Sequence, residues 1–409
     1  MIVVAYSLGS ADPLQIAKSA AEFGGCVFVV DPHDGYAMSL VGLLEQLGRV
    51  IVDNEVDSIA STLRNENLLP KGVVTFAESG VEIANGLANS FQLPSLTRGE
   101  PNALFDKFAQ RTVLNAAFGE KGTSVALLKD GVPPDFKFPA FVKPRRGAGS
   151  RNTMSVAREE DLRDSLAKLG DNEELILEEA LIGEAGHVED WLADYVSVES
   201  LVQSSVIYTI GITGRLPSAW PARETGLIFP LVTVQPLRDQ LVTTSNRAIA
   251  ALGIENGIVH TELKLCHGGP RIIEVNPRIG GHLARLMPWT IGVSPITLAM
   301  KLASGIRIDV DGTFQETRKF GAKMYIQPPF DAVQLVRSPP IEEVRRVKGV
   351  KRIDSHAEMG DLLDWRKGSG GRILDVYVVC PTLQELSVSV KSVNDLIHQA
   401  SIYREVEAG

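Results

Sequence analysis

The stretch PRIIEVNPRIGG, residues 270–281, constrains this chain more than any other. Apolar and polar side chains alternate in it, and a strand with period 2 puts Glu274 and Asn276 on one face. The preceding GIVHTELKL alternates as well, and CHGG lies between the two runs. Residues 256–278 therefore predict a hairpin with Gly268 at its apex. In that register Glu262 lies opposite Glu274, and His260 opposite Asn276. One face reads His260, Glu262, Lys264, Ile272, Glu274, Asn276. The other reads Val259, Thr261, Leu263, Leu265, Ile273, Val275 and is the packing side. Two opposed carboxylates repel unless a cation lies between them. Converging carboxylate and amide oxygens suit a hard cation such as Mg²⁺. Lys264 can also relieve the repulsion, and the solvent face of an amphipathic hairpin carries the same pattern.

A hairpin of this kind needs a sheet to pack against, and 409 residues are enough for two or three domains. Hydrophobic residues at 44% and charged residues at 22% are those of an ordinary globular protein. A formal net charge of −9 argues against a general nucleic-acid binder, although it leaves room for a local basic pocket. Cys26, Cys266 and Cys380 are far apart and odd in number, which fits neither a disulfide framework nor a zinc site. The opening MIVVAYSLGSADP reads as a first strand rather than a leader, and no apolar run is long enough for a bilayer. The expectation is a cytoplasmic protein with no membrane and no nucleic-acid partner.

Residues 1–95 have the pattern of a small α/β unit: strands at IVVAYS, CVFVVDP and GVVTFAES, with helical spacing at 12–23 and in GVEIANGLANSF. Asp31 closes the second strand where a dinucleotide fold has its ribose-binding acid. SLGSADP, however, has one glycine where that fingerprint needs three, so a structural strand end is the better reading. LPSLTRGEPN (93–102) marks a boundary. Beyond it the pattern gives a helix at FDKFAQRTVLNAA, strands at PAFVKP and TMSV, a helix at REEDLRDSLAKL and a strand at ELILEEAL. A strand pair follows over 195–216, then the hairpin, a helix at SPITLAMKLASGI and a last helix near 383–399.

Two further stretches carry chemistry. In FVKPRRGAGSRN a strand ends at Lys143, and the loop holds Arg145, Arg146, Gly147, Gly149, Ser150 and Arg151. Glycines let backbone amides approach an anion, and the arginines and Ser150 add donors, so the loop is either a phosphate cradle or an exposed basic turn. It is not a Walker loop, because no Gly-Lys-Ser/Thr follows. In LILEEALIG, Glu178 and Glu179 point to opposite faces, so at most one enters a shared pocket and the other stays wet.

In order, the chain shows Lys107, Lys143 with its glycine loop, Glu178-Glu179-Ala-Leu181, Glu262, and Glu274-Val-Asn276-Pro-Arg278. From about residue 95 to the end this set resembles the ATP-grasp superfamily. EVNPRIGG, GIVHTELKL, DYVSVESLV and ARETGLIFP look closest to the branch of L-amino acid ligases and carnosine-synthase-like dipeptide ligases. The resemblance implies a mixed α/β ATP-grasp fold with four parts. These are a Rossmann-like pre-ATP-grasp domain over 1–95, an N-terminal subdomain with the phosphate loop over 96–180, a core with the metal-binding hairpin over 181–310, and a C-terminal lobe over 311–409.

It also implies roles. Lys107 and Lys143 meet the nucleotide phosphates, and Arg146, Gly147, Gly149 and Ser150 belong to the loop that closes over them. Glu178, Glu179 and Leu181 match the hinge that holds adenine, and Asp194 the acid at the ribose. Glu262, Glu274 and Asn276 match ligands of Mg²⁺, with Mn²⁺ an alternative. Arg278 stands beside the reacting carboxylate, Glu224 is a substrate-side acid, and Gly281 and His282 border the substrate. Leu227 departs from the histidine that relatives often have, and GEAGHVEDW (183–191) looks like an insertion, with His187 a surface residue. His282 has two readings, pocket lining or loop cap. The implied activity joins a small-molecule carboxylate to an amine with ATP, through an acyl phosphate, in a chain that can form a homodimer. An ATP-grasp carboxylase or purine-pathway-type ligase is the alternative, and a nicotinamide oxidoreductase and a nucleotide sensor are further rivals.

Overall fold

A computed structural model describes residues 1–99, 101–169, 173–184, 189–314, 319–400 and 402–405. His187 lies outside them. Among the described residues the strands make four sheets.

The first sheet is parallel, with strands Arg49–Val52, Cys26–Val30, Ile2–Tyr6 and Gly72–Thr75 in that order. Both its faces are covered, as a parallel sheet requires. Val3, Ala5, Val27 and Val29 pack with residues of helices Val56–Asn65 and Val81–Ser90. On the opposite face Ile2, Val4, Phe28 and Val30 join one core with Leu201, Leu227, Phe229, Leu283 and Met300. The first unit is thus sealed onto the rest of the chain by apolar burial. Asp31 accepts bonds from the His33 amide (2.8 Å) and from Asn54 Nδ2 (3.3 Å), so it caps a strand end.

The second sheet is antiparallel: Val125–Leu127, Leu175–Glu179, Ala140–Pro144 and Met154–Val156. Alternation along Ala140–Pro144 sends Ala140 and Val142 into a core with Met154, Val156 and Leu177. Lys143 is left on the other face. The helix expected at REEDLRDSLAKL is shorter, a 3₁₀ turn Glu159–Asp161 followed by Leu162–Ala167.

The third sheet has eight antiparallel strands. Their order is Gly269–Asn276, Gly257–Cys266, Tyr195–Gln203, Val206–Arg215, Gly226–Phe229, Phe320–Ile326, Leu374–Cys380 and Val350–Ser355. Strands from the last hundred residues therefore continue the sheet that holds the hairpin. Helix Leu383–Gln399 covers it, with Leu386, Val390, Val393 and Ile397 facing inward at helical spacing. A small pair, Ala332–Leu335 with Tyr403–Glu405, completes the set. No described helix is long and apolar enough to cross a membrane.

The hairpin register has His260 opposite Asn276 and Glu262 opposite Glu274. One residue later it slips: Leu263 pairs with Ile272, and Ile273 is the extra residue of a bulge. The bulge reverses the expected faces from that point on. Ile272 is buried in the core with Leu263, and Ile273 borders the cavity described next.

Candidate active site

The edges of the second and third sheets enclose a cavity of 230 Å³. Lys107, Lys143, Arg146, Gly147, Gly149, Ser150, Glu178, Glu179, Leu181, Glu224, Glu262 and Glu274 line it. Chain segments separated by more than a hundred residues thus meet in one place.

The glycine loop forms one wall. Gly147 (φ 111°), Gly149 (φ 72°) and Ser150 (φ 54°) are all left-handed, a conformation that glycine adopts at little cost. The loop is latched to residues 366–369. Ser369 N donates to Gly149 O (2.8 Å) and Asn152 N to Arg366 O (2.9 Å). Gly368 (φ 60°) permits this approach, because a Cβ there would stand 2.3 Å from Gly149 O. The two adjacent arginines do different things. Arg145 ion-pairs with Asp106 and Glu174, whereas Arg146 stacks its guanidinium over the Phe105 ring at 5.0 Å and lines the cavity.

Every carboxylate of the site has a cationic partner. Glu178 is held by Arg111 (2.8 Å) and Lys143. Burial pushes its carboxyl up, but the two cations outweigh burial and bring it to about 2. Alternation along the strand lets at most one of Glu178 and Glu179 into a shared pocket, yet both border this cavity. Glu179 accepts from the Ser124 amide (2.9 Å), lies 3.5 Å from Arg271, and reaches the cavity because the strand ends there. Glu274 meets Lys107 at 2.8 Å, and Lys107 also reaches Glu78 (3.2 Å) and the Gly147 carbonyl. Burial alone would lower the Lys107 ammonium, yet Glu274 and Glu78 hold it above the ordinary lysine range. Glu262 meets Arg215 at 3.0 Å, and Arg215 also pairs with Glu224. Burial pushes Glu262 up, and Arg215 and His260 more than reverse that. Relief of the opposed glutamates thus comes from Lys107 and Arg215. Lys264 is engaged elsewhere, with Asp194 at 2.6 Å.

Four expected residues border the site without lining this cavity, and a fifth stands apart from it. Asn276 is buried, with Oδ1 3.3 Å from Arg278 Nη2. The strand stops at Asn276, yet the Arg278 amide bonds back to the Asn276 carbonyl (2.8 Å), which turns the arginine toward Glu78 (3.5 Å). Asp194 lines an adjoining cavity and connects through Lys264 and Tyr195, which border both spaces. Gly281 presents its carbonyl 3.5 Å from Lys323 Nζ. His282 does not line this cavity. It sits at the N-cap of helix Leu283–Thr290 without a capping bond, and is buried with Nε2 3.1 Å from Thr213 Oγ1. Burial and the neighbouring His260 and Arg215 charges push its pKa well down. Next to it, Glu199, fully buried, holds His260 Nδ1 at 2.9 Å. Burial lowers the His260 pKa, and that carboxylate brings it up to about 9.

Residues 136–285 match the profile of the ATP-grasp domain. The chain carries an ATP-grasp domain. Over 104 residues it is 36% identical to carnosine synthase 1 of Gallus gallus, covering 23% of this chain and 11% of that protein. Over 249 residues it is 24% identical to an L-arginine-specific L-amino acid ligase of Bacillus subtilis, covering 59% and 57%. The L-amino acid ligase of Bacillus licheniformis superposes with a TM-score of 0.74 at 19% identity, over 96% of both chains. The fold is thus an ATP-grasp fold over nearly the whole chain.

Around this cavity the sequence reading missed Glu78, Arg111, Arg215 and Glu199. Arg111 had a signal, since it lies one helical turn after Lys107 on the same face. Glu78 follows the last strand of a parallel sheet, the edge where open α/β sheets place contacts. Glu199 and Arg215 sit in strands that read as packing segments, and gave none. As for a metal, the hairpin offers two carboxylates and an amide oxygen in neighbouring cross-strand positions. No group of three His, Cys, Asp or Glu side chains could hold an ion among the described residues. An all-oxygen set of this size fits Mg²⁺ shared with phosphates, which typically takes one or two carboxylates.

Proposed function

We propose that this chain is an ATP-dependent carboxylate–amine ligase that forms an amide or peptide bond between amino acids or similar molecules through an acyl phosphate. The observation that carries this reading is the convergence of the glycine loop, Lys143 and the Glu262–Glu274 pair on one cavity. Glu262, Glu274 and Asn276 would hold Mg²⁺, which supplies charge neutralisation on the nucleotide phosphates. Amides of the 146–151 loop, with Lys143 and Lys107, bind the phosphates, and Glu179 and Leu181 lie where the adenine is held. Transfer of a phosphoryl group is mostly a problem of positioning and charge, which these donors address. The latch between Gly149 and Ser369 keeps the loop down and excludes water, to which an acyl phosphate would be lost. Arg278 grips the reacting carboxylate and a phosphoryl oxygen with its planar fork, and Glu224 holds the amino group of a substrate. A cytoplasmic location accords with three free cysteines.

The test is a screen of ADP release over pairs of amino acids, with mass spectrometry of the products, and with Arg278→Lys alongside. We expect a ligation product, and a kcat reduced roughly 10²-fold in the variant at nearly unchanged ATP affinity. ADP release driven only by bicarbonate or an aminoribotide would replace this reading with the carboxylase or purine-ligase one.

A further inference from the structure

The walls of the phosphate cavity belong to different sheets, with the glycine loop on the second and Glu224 beside the third. One short segment, Trp365–Gly371, ties them together. It begins against the second sheet, where Trp365 packs with Phe330 (ring centroids 5.0 Å apart) on the core of Ala140, Val142 and Leu177. It leads into Arg372, whose guanidinium is held by Asp375 on strand Leu374–Cys380 of the third sheet.

Ser369 lies within this segment, buried, and each of its polar groups serves a different neighbour. Its amide donates to Gly149 O (2.8 Å) in the glycine loop. Its hydroxyl accepts from the Glu224 amide (3.0 Å). Its carbonyl accepts from Arg372 Nη1 (3.1 Å) and from Gln327 Nε2 (3.3 Å). The same Gln327 nitrogen donates to Glu224 O (2.9 Å), so the main chain of Glu224 is pinned at both its amide and its carbonyl. With the backbone fixed there and the carboxylate paired to Arg215, little freedom is left to the Glu224 side chain. One residue thus joins the backbone of the phosphate loop to the backbone of the substrate-side acid.

We propose that Ser369 is a positioning residue for amide formation. It registers Glu224, and the substrate amino group held there, against the loop that binds the phosphates. A displacement of ~1 Å between groups that must meet can cost about 10²-fold in rate. Where the substrate is out of register, water takes its place and ATP is hydrolysed without amide formation. The assignment rests on the ligase reading above and gives the C-terminal part of the chain a role in it.

Steady-state kinetics of Ser369→Ala and Gly368→Ala test it, together with hydrogen exchange of peptides 146–153 and 222–227 in the intact chain with Mg²⁺ and ADP. Ser369→Ala removes the hydroxyl and keeps the amide bond to Gly149. It should speed exchange in 222–227 alone, raise KM for an amino-acid substrate roughly three- to tenfold and lower the amide formed per ADP, at nearly unchanged KM for ATP. Gly368→Ala puts a Cβ 2.3 Å from Gly149 O and should loosen both ends, with faster exchange in both peptides and a higher KM for ATP as well as for the amino acid. Should Gly368→Ala fail to fold, Ser369→Ala decides. The proposal is overturned if Ser369→Ala exchanges and binds the amino acid like the parent, if it raises KM for ATP as much as that for the amino acid, or if Gly368→Ala loosens 146–153 alone. A parent that forms no amide would end the ligase reading, while exchange in 222–227 would still decide whether Ser369 ties Glu224 to the loop.

Discussion

Arg215 and Arg223 are both 2% exposed and stand at the two ends of one connection, yet their surroundings differ completely. Arg215 closes strand Val206–Arg215 in the middle of a sheet. Its neighbours offer Glu224, Glu262 (3.0 Å) and Ser197 Oγ (2.7 Å). Burial would lower its pKa, and the carboxylates Glu224 and Glu262 hold it above the ordinary range. Arg223 lies in the connection itself, where among the described residues its hydrogen bonds go to two carbonyls, and burial lowers its pKa. Equal burial of the same residue type therefore yields a closed ionic network in one place and an unfilled one in the other. What decides is whether the adjacent strands bring acids.

The largest expected effect separates these two arginines directly. Arg215→Met leaves Glu224 and Glu262 without their cation and should cost about 3–5 kcal/mol of unfolding free energy, read from urea melts. Arg223→Met loses hydrogen bonds to two carbonyls and strands no acid among the described residues, so its cost should be about 1–3 kcal/mol. Equal costs would break the comparison.

Acid titration sharpens it. Glu178 is another carboxylate held by buried cations, Arg111 and Lys143. Its folded value of about 2 lies below the ordinary 4.5. The stability it contributes is therefore present above the unfolded value and lost as pH falls from 4.5 toward 2. The amount is roughly 3 kcal/mol, which Glu178→Gln should remove. The gap in stability between the parent and this variant should shrink on going from about pH 6 to about pH 3. The cost of Arg223→Met, with no acid partner among the described residues, should not follow pH in that range. A parallel decline in both would mean that Arg223 has an acidic partner after all.

The smallest expected effect is on Tyr403→Phe. Removing a buried hydroxyl without a partner among the described residues should change stability by less than about 1 kcal/mol, in either direction. A loss well beyond that would show the hydroxyl to be bonded, and the cavity that Tyr403 lines with Arg223 to be as complete as the Arg215 network.

Much of this was legible in the sequence because it depends on local rules. Period-2 alternation and the GG turn fixed Glu262 opposite Glu274 and His260 opposite Asn276. Helical spacing gave a last helix near 383–399, which runs over Leu383–Gln399 with Thr382 as its cap. Glycines in the 146–151 loop announced the left-handed backbone that forms the cradle wall. One local event escaped: the bulge at Ile273 has no signature in IIEVN, and a single extra residue was enough to exchange Ile272 and Ile273 between core and cavity. The order of elements, the hairpin and the loop were thus determined by the chain's own pattern of side chains. Which charge neutralises which was not. Lys107 with Glu274, Arg111 with Glu178 and Arg215 with Glu262 join segments far apart in sequence. Such pairs form only once the strands and the helix Lys107–Phe118 that carry them are packed together, because ion pairing is decided by distance and burial, and neither is a property of sequence spacing.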